Sequence, residues 1–252
     1  MRKNVLATIL GLIAVCSVHN ASAIVVTVDG SQTWNGYMNI FALNSSRGQG
    51  GYQWGSKWGL NDVKSTVGSN YITLEPNYNC FNANDAYWSN YQAGTPAGFD
   101  PVTEDPIPAV PPVLGTIGNK WMEGNTFVEY APGLLSGSLT FTGNVDSYSL
   151  ANGYNVIAFI KGLNPNTGYS MDIFQQAAIG SGSNSFSVSA DLTGASGLIL
   201  QYGFTVSGVN ANPANSLGSV VVSAASIPEP SSVSLLMLGA VGLMGLQLRR
   251  KS

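Results

Sequence analysis

Hydrophobic and polar residues alternate along most of this chain. In "NSFSVSADL", Phe186, Val188, Ala190 and Leu192 alternate with Ser185, Ser187, Ser189 and Asp191. A period of two places one set on each face of a strand. "GLILQYGFTVSG" repeats the pattern with Leu198, Leu200, Tyr202, Phe204 and Val206. The same reading predicts strands in "IVVTVD", "YMNIFAL", "NYITLEP", "TFVEYA", "GSLTFTG", "YNVIAFIKG", "GYSMDIF" and "LGSVVVSA". Turn residues separate them, among them Asn164-Pro165-Asn166, Gly180-Ser181-Gly182 and Gly194-Ala195. Helical periodicity is nearly absent, and only "LNDVKST" suggests a single helical turn. Many short strands between turn signals predict an all-β body, an antiparallel β-sandwich or barrel.

The two ends break this pattern. Met1-Arg2-Lys3-Asn4 is basic, Val5 to Val18 is mostly apolar, and Ala21-Ser22-Ala23 is a small-x-small site. That order predicts a signal peptide over residues 1–23, cut by signal peptidase before Ile24. Cleavage removes His19, the only histidine, and Cys16, so Cys80 remains the sole thiol and no intrachain disulfide can form. Residues 24–226 form the predicted β-sandwich domain, long enough for one core. Within it, residues 93–118 hold six of the chain's 12 prolines. Proline lacks a backbone donor, so this stretch is expected to be a long loop or extended insertion.

The last segment, "IPEPSSVSLLMLGAVGLMGLQLRRKS", carries Pro228-Glu229-Pro230, an apolar run from Val233 to Leu248, and Arg249-Arg250-Lys251. These residues resemble the PEP-CTERM sorting signal of Gram-negative bacteria. The resemblance implies recognition by exosortase, a membrane cysteine transpeptidase, and cleavage near Pro-Glu-Pro. It further implies transient anchoring in the inner membrane, then delivery to the cell surface or extracellular matrix. On this reading residues 227–252 are the sorting signal and residues 233–248 a single transmembrane helix, slightly short for an untilted span. The basic cluster would stay cytoplasmic.

The second half of the body, in "YNVIAFIKGLNPNTGYSMDIF", "FSVSADL", "LILQYGFTV" and "LGSVVVSA", is similar to jelly-roll carbohydrate-binding modules. Gly218-Ser219 stands where that module often has an acidic residue before its last strand. A second resemblance is to fibronectin type III domains, through a tyrosine-corner-like Leu163-x-Pro165-x-Thr167-x-Tyr169. Either one implies a β-sandwich.

Charge and chemistry narrow the function. Of the chain's 13 acidic residues, all but Glu229 lie in the body, against Arg47, Lys57, Lys64, Lys120 and Lys161. A body this acidic offers no basic stripe, which argues against a nucleic-acid partner. Without histidine, Ser-His-Asp and Cys-His nucleophiles and histidine-bearing zinc sites are excluded. No catalytic residue, metal ligand or cofactor is predicted. A carboxylate-dependent polysaccharide hydrolase or lyase survives as one alternative, with Asp85, Glu123, Glu129, Asp146 and Asp172 available. A purely structural surface protein is another.

Aromatic residues are the stronger lead. Tyr52, Trp54 and Trp58 cluster among glycines, and Tyr87 and Trp88 follow. Such rings either plug the core or stack against sugar faces. The expectation is therefore a non-enzymatic exported protein, sorted by exosortase, that binds extracellular polysaccharide through this aromatic half.

Overall fold

The computed structural model describes residues 23–100, 102–103, 106–130 and 137–226. The signal-peptide residues before Ala23, the residues Pro228 to Pro230, the segment 233–248 and Arg249 to Lys251 lie outside the described residues. Among the described residues, no helix is long and apolar enough to cross a membrane.

In chain order the strands are β1 (Ala23–Thr27), β2 (Trp34–Leu43), β3 (Gln49–Trp58), β4 (Ser65–Val67), β5 (Tyr71–Leu74), β6 (Gly98–Phe99) and β7 (Pro106–Ile107). They continue with β8 (Trp121–Tyr130), β9 (Ser138–Tyr148), β10 (Asn155–Asn164), β11 (Ser170–Ile179), β12 (Ser185–Asp191), β13 (Ile199–Val209) and β14 (Val220–Ala224). One six-stranded sheet, the long sheet, runs β11-β10-β13-β8-β2-β3 and is antiparallel throughout. The other, the short sheet, runs β1-β9-β14-β5-β4, with β12 also on β9. Its one parallel pair is β1 on β9.

Two-residue periodicity explains why these segments pair as they do. In β12, Phe186, Val188 and Ala190 are buried while the intervening serines are exposed. The inner faces of both sheets meet in one core. Phe141 of β9 lies 4.9 Å from the Tyr202 ring and 5.2 Å from the Phe204 ring of β13. Ile72, Leu74, Leu139, Val220 and Val222 of the short sheet share that core with Val156, Ile160 and Leu200 of the long one. Fully burying each such side chain contributes roughly 1.5–3 kcal/mol.

Two features near the jelly-roll and tyrosine-corner resemblances have local explanations. At the entry to β14, Gly218 has φ 73° and Ser219 is tied to Ser149 by backbone and hydroxyl hydrogen bonds of 2.8 to 3.1 Å. A serine pair therefore secures the last strand. Tyr169 is 61% exposed, and it is the Tyr154 hydroxyl that donates to a backbone carbonyl, that of Val209, at 2.8 Å.

The "LNDVKST" segment makes a single turn, with the Val63 amide donating to the Gly59 carbonyl. The proline-rich stretch is an extended two-stranded ribbon. β6 pairs with β7, and bridges at Thr95–Val110, Gln92–Val113 and Ser89–Gly118 carry the ladder back to the body.

Candidate functional site

The outward face of the long sheet is where this structure departs from a plain two-layer body. An antiparallel sheet ordinarily turns one face to solvent. Here β13 is buried on both faces over most of its length. Its inward residues are Leu200, Tyr202, Phe204 and Val206, and its outward ones include Gln201 and Thr205. Neighbouring outward residues Asn125 and Phe127 of β8 and Phe159 of β10 are buried too. Toward the sheet's two margins, Lys57, Tyr169, Met171 and Phe174 are exposed. A buried centre with exposed flanks is the profile of a trough. It encloses about 920 Å³, within the range of ligand-binding clefts.

Polar side chains on the trough floor form one network. Asn125 is its hub. Its Oδ1 accepts from the Lys161 ammonium at 3.0 Å and from the Thr205 hydroxyl at 2.8 Å. Its Nδ2 donates to the backbone carbonyls of Tyr37 and Glu123. All four hydrogen-bonding positions of this amide are thereby used, and β2, β8, β10 and β13 are joined through it. Lys161 starts on β10 and lies across the floor, its Nζ 3.9 Å from the centre of the Phe159 ring and 5.8 Å from that of Phe174. Gly203, between Lys161 and Thr205 along the face, has no side chain and lets Phe127 of β8 press against the sheet.

Charges in the trough are perturbed in opposite directions. Burial pulls the Lys161 ammonium down to about 8, against the charge of Glu123, which raises it. Burial pushes the Glu123 carboxyl above its ordinary value, against Lys161 and hydrogen bonds from Asn39 and Gln49. Gln49 reaches Glu123 at 3.2 Å, and Gln201 donates to Glu129 at 3.3 Å. Glu123 and Glu129 are six residues apart on one strand, roughly 20 Å at strand rise. Paired glycosidase carboxylates stand about 5–9.5 Å apart.

The aromatic residues singled out in the sequence fall in two places. Trp54 and Trp58 project from the inward face of β3 and, with Trp88, pack on a second small core of Met38, Ile40, Val63, Cys80 and Met122. Trp54 donates to the Tyr87 hydroxyl at 2.7 Å, and the Lys120 ammonium sits 4.0 Å from the Tyr87 ring centre. Tyr52 differs. It is 60% exposed and stands edge-on to Phe41, opposite it on the trough side of the sheet. Burial first, then Asp62, pushes the Cys80 thiol to about 12, so it acts as a small core residue.

Of the acids considered for chemistry, Asp85, Asp146 and Asp172 accept local hydrogen bonds from Tyr87, Ser223 and Ser170, and none of them lines the trough. No group of three or more potential metal ligands comes together among the described residues. The indole N–H of Trp121 is buried without a hydrogen-bond partner among them.

The trough was not anticipated from the sequence, although one signal pointed to it. "YNVIAFIKG" and "LILQYGF" carry large apolar residues on both strand faces, which in an antiparallel body means the outer face is covered or recessed.

Residues 226–251 match the PEP-CTERM protein-sorting motif. No curated protein and no solved structure matches the chain. The motif supports an exported, surface-targeted protein whose processing partner is exosortase.

Proposed function

We propose that the exported body is a non-enzymatic polysaccharide-binding domain, jelly-roll-like in its strand plan, that holds a glycan chain in the trough of the long sheet. The trough carries this reading. It is open, it lies across several strands, and it combines amide, hydroxyl and ammonium groups with the exposed Tyr169 and Phe174 rings. Sugars offer hydroxyls to such polar groups and flat C–H faces to such rings. Tyr52 extends the aromatic surface on the same face, whereas Trp54, Trp58 and Trp88 support the sheet from behind. Tyr87 links that inner cluster to the surface. Processing by exosortase would deliver this domain to the cell surface or matrix, where such polymers are abundant.

Affinity electrophoresis of the exported protein in gels containing extracellular polysaccharides tests the reading. Retardation that is lost in Tyr169→Ala/Phe174→Ala is expected. Unchanged mobility in every glycan would remove it.

A polysaccharide lyase is the second reading, favoured by the Lys161 amine, which faces the trough and loses its proton near pH 8. Ultraviolet absorbance from an unsaturated uronate would establish it. The roughly 20 Å between the trough carboxylates speaks against a two-carboxylate hydrolase.

A further inference from the structure

We propose that the trough selects an acidic heteropolysaccharide, one whose carboxylates are separated by neutral sugars, with Lys161 meeting a glycan carboxylate at the floor. This deepens the glycan-binding reading and rests on it.

The first observation is where the cations are. The body has only five basic residues. Arg47 is occupied by the Gly118 carbonyl and Lys120 is buried against Tyr87. Lys57 and Lys161 both line the trough. An acidic body thus brings two of its few cations to this one recess.

The second observation is what Lys161 lacks. A half-buried ammonium, as Lys161 has, is ordinarily paired with a carboxylate. Lys161 instead donates to a neutral amide oxygen and rests on aromatic rings. Glu123 acts on it through its charge without being its hydrogen-bond partner. An incoming carboxylate supplies the direct ion pair in a desolvated setting, where a charge-assisted hydrogen bond is strongest.

The third observation sets the spacing. Glu123 and Glu129 lie on either side of the hub residue Asn125 along β8 and both line the trough. Both repel anions, and the Lys161 ammonium held at Asn125 between them is the one charge that offsets this repulsion. A polymer charged at every sugar is therefore opposed, while one with isolated acidic sugars is accepted.

The experiment compares the exported protein in gels containing gellan, carboxyl-reduced gellan or polygalacturonate. Gellan has uronates separated by neutral sugars, and reduction turns each carboxylate into an alcohol without changing the backbone. The expected result is retardation by gellan, at least about tenfold weaker after reduction and weaker still with polygalacturonate. Lys161→Gln should bind gellan and its reduced form alike, and Lys57→Gln should reduce the preference in part. Equal retardation by gellan and reduced gellan overturns the acidic preference and leaves the glycan reading standing. Stronger retardation by polygalacturonate overturns the spacing argument. Retardation by none of the three overturns the acidic proposal, and the polysaccharide panel then decides the glycan reading separately.

Discussion

Lys161 carries an energetic signature that can be read without any ligand. Its ammonium ionises near 8 in the folded protein and near the ordinary lysine value of 10.5 once unfolded. Between those values the unfolded chain holds a proton that the folded chain has released. Taken alone, this makes stability rise with pH above about 8, by up to about 1.4 kcal/mol per pH unit. Above about pH 9 the rise is offset and then reversed, because burial pushes Cys80, Tyr154 and Tyr202 to about 12, so they lose their protons first in the unfolded chain. Urea denaturation at pH 7, 8 and 9 should show the rise in the parent protein. Lys161→Met should abolish it and be more stable than the parent at pH 7, where the buried charge is a cost. A parent protein with flat stability from pH 8 to 9 would show that the ammonium is solvated. Nothing in the sequence around Lys161 reveals that three other strands close around it.

Strands tell a similar story one level up. A Cβ on Gly203 would overlap the Thr126 carbonyl of β8 and touch Phe127. Gly203→Ala should force β13 away from β8 and cost about 2–3 kcal/mol, lowering the thermal midpoint by roughly 5–10 °C. The ribbon behaves oppositely. Val102 is 87% exposed and Phe99 62%, and the outer rungs pair only with each other. Replacing residues 96–109 by a two-residue turn joins Thr95 to Val110, which already face each other. The thermal midpoint should stay within a few degrees, by calorimetry, and a large drop would mean that the ribbon supports the core. Ten of the strands were legible, most of them because one face is more buried than the other. β3 was not, since Gly50, Gly51 and Gly55 interrupt its alternation. The trough was hidden for a different reason: its lining comes from outward residues of six strands scattered along the chain. A short window shows each residue alone. The aromatic cluster at residues 52–58 was visible as composition, but which side of β3 each ring takes depends on the bulge near Gln53.

For the whole molecule, the way the chain leaves the fold bears on its export. β1 and β14 lie end to end along β9, β1 pairing with Ser138 to Thr142 and β14 with Gly143 to Tyr148. Their ends are joined, since the Ala225 amide donates to the Thr27 hydroxyl at 2.7 Å. Ala224 is held as well, by Asn70 and by the Asn144 side chain. Pro228 follows three residues after Ala225, within roughly 10 Å of chain. A membrane enzyme acting near Pro-Glu-Pro must therefore work against the folded body or wait for the end of β14 to release. β14 belongs to the short sheet, the layer opposite the trough, so on the proposed reading a body tethered through its tail would keep the trough clear. Inserting a flexible Gly-Ser linker between Ser226 and Ile227 should speed processing several-fold in cells with exosortase. Pulse-chase with a gel shift for tail loss measures the rate, and mass spectrometry of the product locates the cut. Thr27→Val, which removes the acceptor for Ala225, should speed processing in the same direction but less. Equal rates in all three proteins would mean that the folded end of β14 is no obstacle. Recovery of peptides from Leu235 to Leu248 in the extracellular product would mean that the tail is kept.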